Sequence, residues 1–338
     1  LAVRGVLEDL SAFEGYDEVA GWFPQTALTP YTYRGKCYAL PTSLSFHMLF
    51  YRSDVLAELG LSVPDTWQEL YDTLPVLQRS HMTVGLPYTT MSSSGTIENG
   101  LGAKDIFPAL LMQRGGSIYT EDQMALALDT PAALSAFKEW TELYTQYGLD
   151  MSFDFYNRFR TGEMPIGITV YTMYNQLAST APEITGLWDF CPIPGTKRED
   201  GTVDRTEAAS GGGAVMVRGA DKKASWAFLR WWVGADAQYR YATETELLMG
   251  AASRATPANR EALRRLPWEE QQLAALNEQL EWLREIPEVV GGYYTARGID
   301  NAFRNVNFNA DNYREALMEQ ILSVNDELRR KQREFAAP

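Results

Sequence analysis

The sequence predicts an α/β protein of two lobes, and three observations carry that prediction. The chain has 338 residues, more than one hydrophobic core comfortably organises. Strand-length apolar runs alternate with helix-period runs from Tyr31 to Val233. Hydrophobic residues make up 45% and charged residues 22%, with both signs mixed, a composition that supports packed cores rather than a disordered chain.

The elements follow in order. Gly5 suits the C-terminal cap of a short helical end. Tyr31 to Leu40 reads as a hairpin around Arg34-Gly35-Lys36, and Phe46 to Tyr51 as a buried strand. Ser53 to Leu59 reads as a helix with Ser53 as N-cap and Gly60 at its end. Thr66 and Glu69 have capping-box spacing at the start of the next helix. Val84 to Pro87 is a short strand, and Thr89 to Gly102 a polar Ser/Gly-rich loop. A helix runs from about Lys104 to Gln113; Thr130 and Pro131 open another with Phe137, Trp140 and Tyr144 on one face. Phe153 to Thr161 is helical, Pro165 to Val170 a strand, and Tyr171 to Ser179 the helix after it. Strands at Phe190–Cys191 and Ala214–Val217 flank a charged loop, Asp221 opens a helix, and nearly everything beyond Pro257 is helical.

The formal net charge of −14 argues against nucleic acid or anionic lipid as partner, since phosphate binding needs clustered Lys and Arg. Cys37 and Cys191 are too few for a metal site. They read as two buried free thiols, with one disulfide as the alternative. No apolar run reaches transmembrane length. The chain opens on Leu1-Ala2-Val3-Arg4, as expected of a mature fragment whose leader has been removed.

Several segments occur together in one order. They are Gly35 to Pro41; Leu49 to Leu59; Pro64-Asp65-Thr66-Trp67-Gln68-Glu69-Leu70; Phe159 to Ile168; Pro192 to Gly195; Gly213 to Val217; Ala224 to Leu229; and Asn325 to Leu328. In that order they resemble the family 1 extracellular solute-binding proteins, the maltose-binding-protein-like receptors of ABC importers. The resemblance implies a two-lobe periplasmic-binding-protein-like (type II) α/β fold. It places 1–40 and 206–250 in the first lobe and 41–205 and 251–338 in the second. The family begins with strand–helix units ahead of the segment matching Leu1, so an incomplete first lobe is expected. Pro41 fixes one crossing between lobes, Gly211 to Gly213 loosen the second, and Gly250-Ala251-Ala252 supply a third.

The implied function is capture of a mono- or oligosaccharide between the lobes and its delivery to an ABC membrane permease. The implied setting is extracellular, as a membrane-anchored lipoprotein or a periplasmic protein. A monomer without cofactor or metal is expected. Tyr171 falls where the family places a stacking aromatic, although the glycine of its Gly-x-Trp motif is absent here. Tyr174 and Asn175 lie one turn on, and Ser45, with Thr42 and Ser43 nearby, follows the crossing strand. Tyr88 opens the polar loop. Arg254 is expected to reach the ligand or to pair with a carboxylate at the hinge. Tyr293 and Tyr294 form an aromatic turn that in relatives reaches the sugar. Trp67, Trp140, Trp226, Phe228 and Trp231 or Trp232 are assigned to packing by helical spacing.

Three alternatives stand beside this reading. Glu98, Asp105 and Glu163 supply carboxylates for a glycosidase, but no spacing sets two of them at a catalytic separation. His47 and His81 share no motif. The Tyr293–Tyr294 pair suggests ferric capture, for which a matched His or carboxylate is missing. A sensor domain of the same fold remains open.

Overall fold

The computed structural model describes residues 1–86, 106–250 and 253–336. Its main sheet has four strands, in the order Val84–Gly85, Ile166–Val170, His47–Arg52 and Trp188–Cys191. His47–Arg52 runs antiparallel to both neighbours, with Phe50 opposite Gly167 on one side and Phe190 on the other. Val84–Gly85 joins parallel at the edge.

The pleat sends alternate residues to opposite faces. Phe46, Met48 and Phe50 enter a core with Phe159, Phe190, Leu10, Phe23 and Trp226. Leu49, Ile166 and Ile168 enter another with Leu70, Leu74, Phe137, Trp140, Phe303 and Leu317. Burial on both faces explains why the strand reads as an unbroken apolar run.

Local signals set most helix ends. The Thr66–Glu69 capping box is complete, Thr130 accepts from Ala133 N–H, and Asp221 accepts from Ala224 N–H. Gly60 closes Ser53–Leu59 in the left-handed region. Ser53 is itself the first helical residue and Arg52 the cap, because strand pairing holds the chain extended through Arg52. The hairpin forms between Thr32–Tyr33 and Lys36–Cys37, with positive φ at both Arg34 and Gly35.

A second, small sheet pairs Ala39–Pro41 antiparallel with Gly213–Val215, and Leu7 bridges to Val217. Helices Lys222–Trp232, Ala235–Met249 and Arg260–Arg265 lie with it. Asn259 Nδ2 donates to the Val233 carbonyl, and Arg260 N–H donates to the Trp22 carbonyl. Residues 259–265 therefore pack with elements expected in the first lobe. The last two helices, Tyr293–Asn309 and Tyr313–Ala336, pack on one another and on Pro131–Thr145.

Trp67, Trp140 and Trp226 are buried as expected. Phe228 and Trp231 are not; they are 57% and 60% exposed, because they lie on the helix face opposite Trp226 and Leu229. Cys37 and Cys191 are both free, and burial pushes the Cys191 thiol up to about 12. Among the described residues no helix is long and apolar enough to cross a membrane.

Phe155 lies flat across Gly167, where an added Cβ would overlap its ring. Gly167→Ala is expected to cost roughly 1–3 kcal/mol by overpacking. An unchanged denaturant midpoint would contradict this packing.

Candidate functional site

The crossing between the two sheets is held by the main chain. Thr42 N–H donates to the Gly212 carbonyl at 2.8 Å, and Ser45 and Ser210 exchange both backbone bonds at 2.7 and 2.8 Å. Leu44 N–H donates to the Thr256 carbonyl at 3.1 Å. Three segments that are distant in sequence thus meet at Ser45. A Cβ at Gly211 would strike the Ser43 carbonyl, so glycine is required there for close approach.

Beneath the crossing lies a buried carboxylate. Glu207 accepts from His47 N–H at 3.1 Å and meets its Nδ1 at 3.1 Å. Burial raises the Glu207 pKa, and the bonds from His47 oppose that shift. The adjoining strand Leu283–Arg284 runs parallel to Glu207–Ala208. Just past it, burial and the charge of Glu207 push Glu285 up to about 9.

Beside the crossing, the end of strand Ile166–Val170 meets residues 253–268. Tyr171 remains on the ladder, with its N–H donating to the Phe46 carbonyl at 3.0 Å. Its ring stacks on Phe46 at 4.7 Å, its hydroxyl donates to the Leu44 carbonyl, and only 2% of it is exposed. Burial raises its pKa well above the phenol range. Tyr174 packs between Trp268 at 5.0 Å and the pair Trp188 and Phe190 at 5.8 Å each.

Asn175 Nδ2 donates to the Arg254 carbonyl at 3.4 Å, while its buried Oδ1 has no partner among the described residues. Arg254 donates through Nε and Nη2 to both oxygens of Glu246, at 2.7 and 2.8 Å. Its guanidinium lies 5.7 Å from the Trp268 ring centre, and its buried Nη1 has no partner among the described residues. The carboxylate pairing expected for Arg254 is present.

The structure therefore gathers Tyr171, Tyr174, Asn175, Ser45 and Arg254. Tyr293 and Tyr294 lie elsewhere, at the start of their helix, with rings 4.0 Å apart. Arg330 donates to the Tyr294 hydroxyl and Arg297 lies over its ring. Tyr88 and the polar loop lie outside the described residues, as do Glu98, Asp105 and the Ala251-Ala252 crossing.

Trp268 and Glu246 were missed by sequence reasoning. The one local signal is that Trp268 directly precedes the Glu269–Gln272 capping box, the place where an aromatic often fixes chain entry into a helix. A separate groove of about 570 Å³ lies between the Tyr33–Arg34 turn and the last helix, lined by Met124, Val289 and Phe335.

Residues 1–263 match the family described as bacterial extracellular solute-binding protein. The chain belongs to that family. A putative binding protein of Brucella abortus (strain 2308) is 27% identical over 194 residues, covering 54% of this chain. The match spans 44% of that relative's length.

Among solved structures, the sugar-binding protein MalE of Xanthomonas citri superposes with a TM-score of 0.77 at 17% identity, covering 100% of this chain and 83% of that one. A solute-binding protein from Thermotoga lettingae bound with α-D-tagatose gives 0.72 at 18% identity, covering 97% and 81%. The GacH receptor of Streptomyces glaucescens, solved unliganded and with acarbose, gives 0.72 at 18%, covering 97% and 80%. These likenesses establish the two-lobe fold.

The raised pKa of Glu285 has a definite sign. Its favourable contribution to stability is full below the ordinary value of 4.5 and is lost as pH rises through about 9. Glu285→Gln should flatten the fall in Tm between pH 5 and pH 9, by on the order of 2 °C or more. An identical pH slope in variant and wild type would contradict the assignment.

Proposed function

We propose that this chain is the solute-capturing part of an ABC importer receptor, and that it grips a carbohydrate between its lobes. The observation that carries the reading is a pair of atoms, at Asn175 and Arg254, that have no partner among the described residues. One is an acceptor and the other a donor, both buried beside the rings of Tyr174 and Trp268. A buried polar group without a partner costs free energy, so such groups mark where another molecule satisfies them. A sugar hydroxyl both donates and accepts, and a sugar's C–H face packs on aromatic rings.

Family membership and likeness to sugar-binding receptors support the same reading. Tyr171 is then the support on which the site rests, since both faces of its ring are covered. Tyr174 and Trp268 are the rings that reach the solute. Ser45 lies at the pivot, and Tyr293 and Tyr294 stand apart from this cluster. We place residues 253–266 with the first lobe, because 259–265 pack on Val233 and Trp22.

The contact between 171–175 and 253–268 is closed, so solute entry requires the lobes to part about the crossings at Thr42–Ser45 and Ser210–Gly213. The solute favours closure by contacts made only in the closed state. The receptor would work outside the cytoplasmic membrane, free in a periplasm or held by a lipid anchor, as a monomer that hands its solute to a permease.

A glycosidase reading lacks support, since Glu163 is exposed and paired with Arg158. Ferric capture by Tyr293 and Tyr294 is disfavoured by the cations of Arg297 and Arg330 against Tyr294.

A thermal-shift panel of mono- and oligosaccharides, peptides and ferric salts tests the reading. A sugar is expected to raise Tm, and a shift with ferric salt alone would overturn the proposal. Trp268→Ala and Tyr174→Ala should each weaken the sugar about tenfold by calorimetry, since a desolvated ring contact is often worth ~1 kcal/mol or more. Unchanged affinity in both would remove this cluster from the site.

A further inference from the structure

Resting on the closure proposed above, the place of Glu285 gives the pivot a titratable group. The parallel register pairs Glu207 with Leu283 and Ala208 with Arg284, and Ala209 N–H donates to the Arg284 carbonyl. Glu285 therefore falls level with Ala209, one residue before the Ser210 that is bonded to Ser45.

Groups from both sides of the pivot enclose it. On the side of the main sheet stands Glu207, buried and held by His47. On the first-lobe side stands Tyr31, which acts on Glu285 and whose 3₁₀ turn Gln25–Tyr31 packs on Leu283–Arg284. The Tyr31 hydroxyl donates to the Gly211 carbonyl at 3.1 Å, and its ring lies against Gly213. Tyr31 is thus tied to the chain beyond the crossing, whereas Glu207 is tied to the core strand before it.

No cation balances Glu285. Among the described residues it has no hydrogen bond or ion pair, and Glu207 is the charge that acts on it. The neighbouring Arg284 guanidinium is turned to the Glu281 and Leu283 carbonyls, and Glu288 adds a further carboxyl against Tyr31. An ionised Glu285 therefore suffers both burial and like charge, and a proton relieves both. Parting the lobes withdraws Tyr31 and admits water, which stabilises the carboxylate again.

We propose that closure of the lobes draws a proton from solvent onto a Glu285 carboxylate oxygen, and that reopening releases it. The sign follows from the closed state, in which burial and Glu207 push Glu285 up to about 9. Above the ordinary value of 4.5 the closed state binds more protons than the open one, so affinity is greatest in acid and falls as pH rises toward 9. The Tyr31 phenol, pushed up to about 12 by burial, keeps its proton throughout.

The test is calorimetry on the full chain with maltose and D-tagatose, neither of which titrates in the range used. Between pH 6 and pH 8 the affinity of wild type should fall at least about fivefold, and at pH 7 phosphate and Tris buffers should together report uptake of roughly 0.5–1 proton per solute. Glu285→Gln, which mimics the protonated acid, should take up no proton and hold its affinity within about twofold across that range. Glu288→Gln should keep the wild-type pH dependence.

Sugar binding with neither proton uptake nor pH dependence would overturn the inference while leaving carbohydrate capture standing, as would a Glu285→Gln protein that behaves as wild type. Failure of both sugars to bind at any pH would count against carbohydrate capture and against this inference with it. Should Glu285→Gln not fold, carboxyl NMR of wild type keeps the question open to refutation. Glu285 should titrate at higher pH with saturating sugar than without, and the same midpoint in both would overturn the proposal.

Discussion

The strand His47–Arg52 is the constraint on which the remaining structure depends. It is paired on both edges and buried on both faces, so its side chains serve two cores at once. Its ends are fixed by side-chain hydrogen bonds. At one, Glu207 accepts from the His47 backbone and meets its imidazole. At the other, Arg52 reaches the Phe159 and Arg160 carbonyls and pairs with Asp54. A strand so held cannot slip by one residue without exchanging its faces. The crossing at Thr42–Phe46 leads directly into it, so any rotation of the lobes starts from a rigid mount.

Flexibility and chemistry are arranged around that mount. The segments that meet at Ser45 do so mainly through backbone bonds, with Thr42 Oγ1 donating to the Gly212 carbonyl and Ser43 Oγ accepting from Gly212 N–H, and Gly211 and Gly212 let the chains approach closely. Small φ/ψ changes at such places turn lobes relative to one another. Beside them, Asn175 and Arg254 carry polar atoms that the described residues leave unmatched. Burying such atoms disfavours folding, and that cost is what the proposed site beside the pivot rests on.

Much of the fold was legible because its signals are local. Thr66 with Glu69, Thr130 with Pro131, and Asp221 act within one helical turn, and all three appear as expected. The Arg34-Gly35 turn and the apolar run before Arg52 are equally self-contained. Ser53 misled because the extended strand ends at Arg52, one residue before the apparent cap, so Ser53 is already the first helical residue. Phe228 and Trp231 misled because hydrophobicity does not say which helix face is covered.

The site was legible in part. Tyr171, Tyr174 and Asn175 follow a recognisable strand end, and Arg254 follows the third crossing. Trp268 and Glu246 could not be placed, since their importance comes from contacts with residues far away in sequence. The burial of Tyr171 beneath Phe46 and Leu44 likewise depends on how the crossing folds back, which no local pattern records.

Backbone hydrogen exchange with and without a saturating sugar tests the central claim most directly, because it reports every segment of the chain at once. If the lobes close on the solute, exchange should slow together in 171–177 and in 253–268, with the core strand His47–Arg52 unchanged. Slowing in only one of those segments, or confined to the groove between Tyr33–Arg34 and the last helix, would contradict a solute held between the lobes.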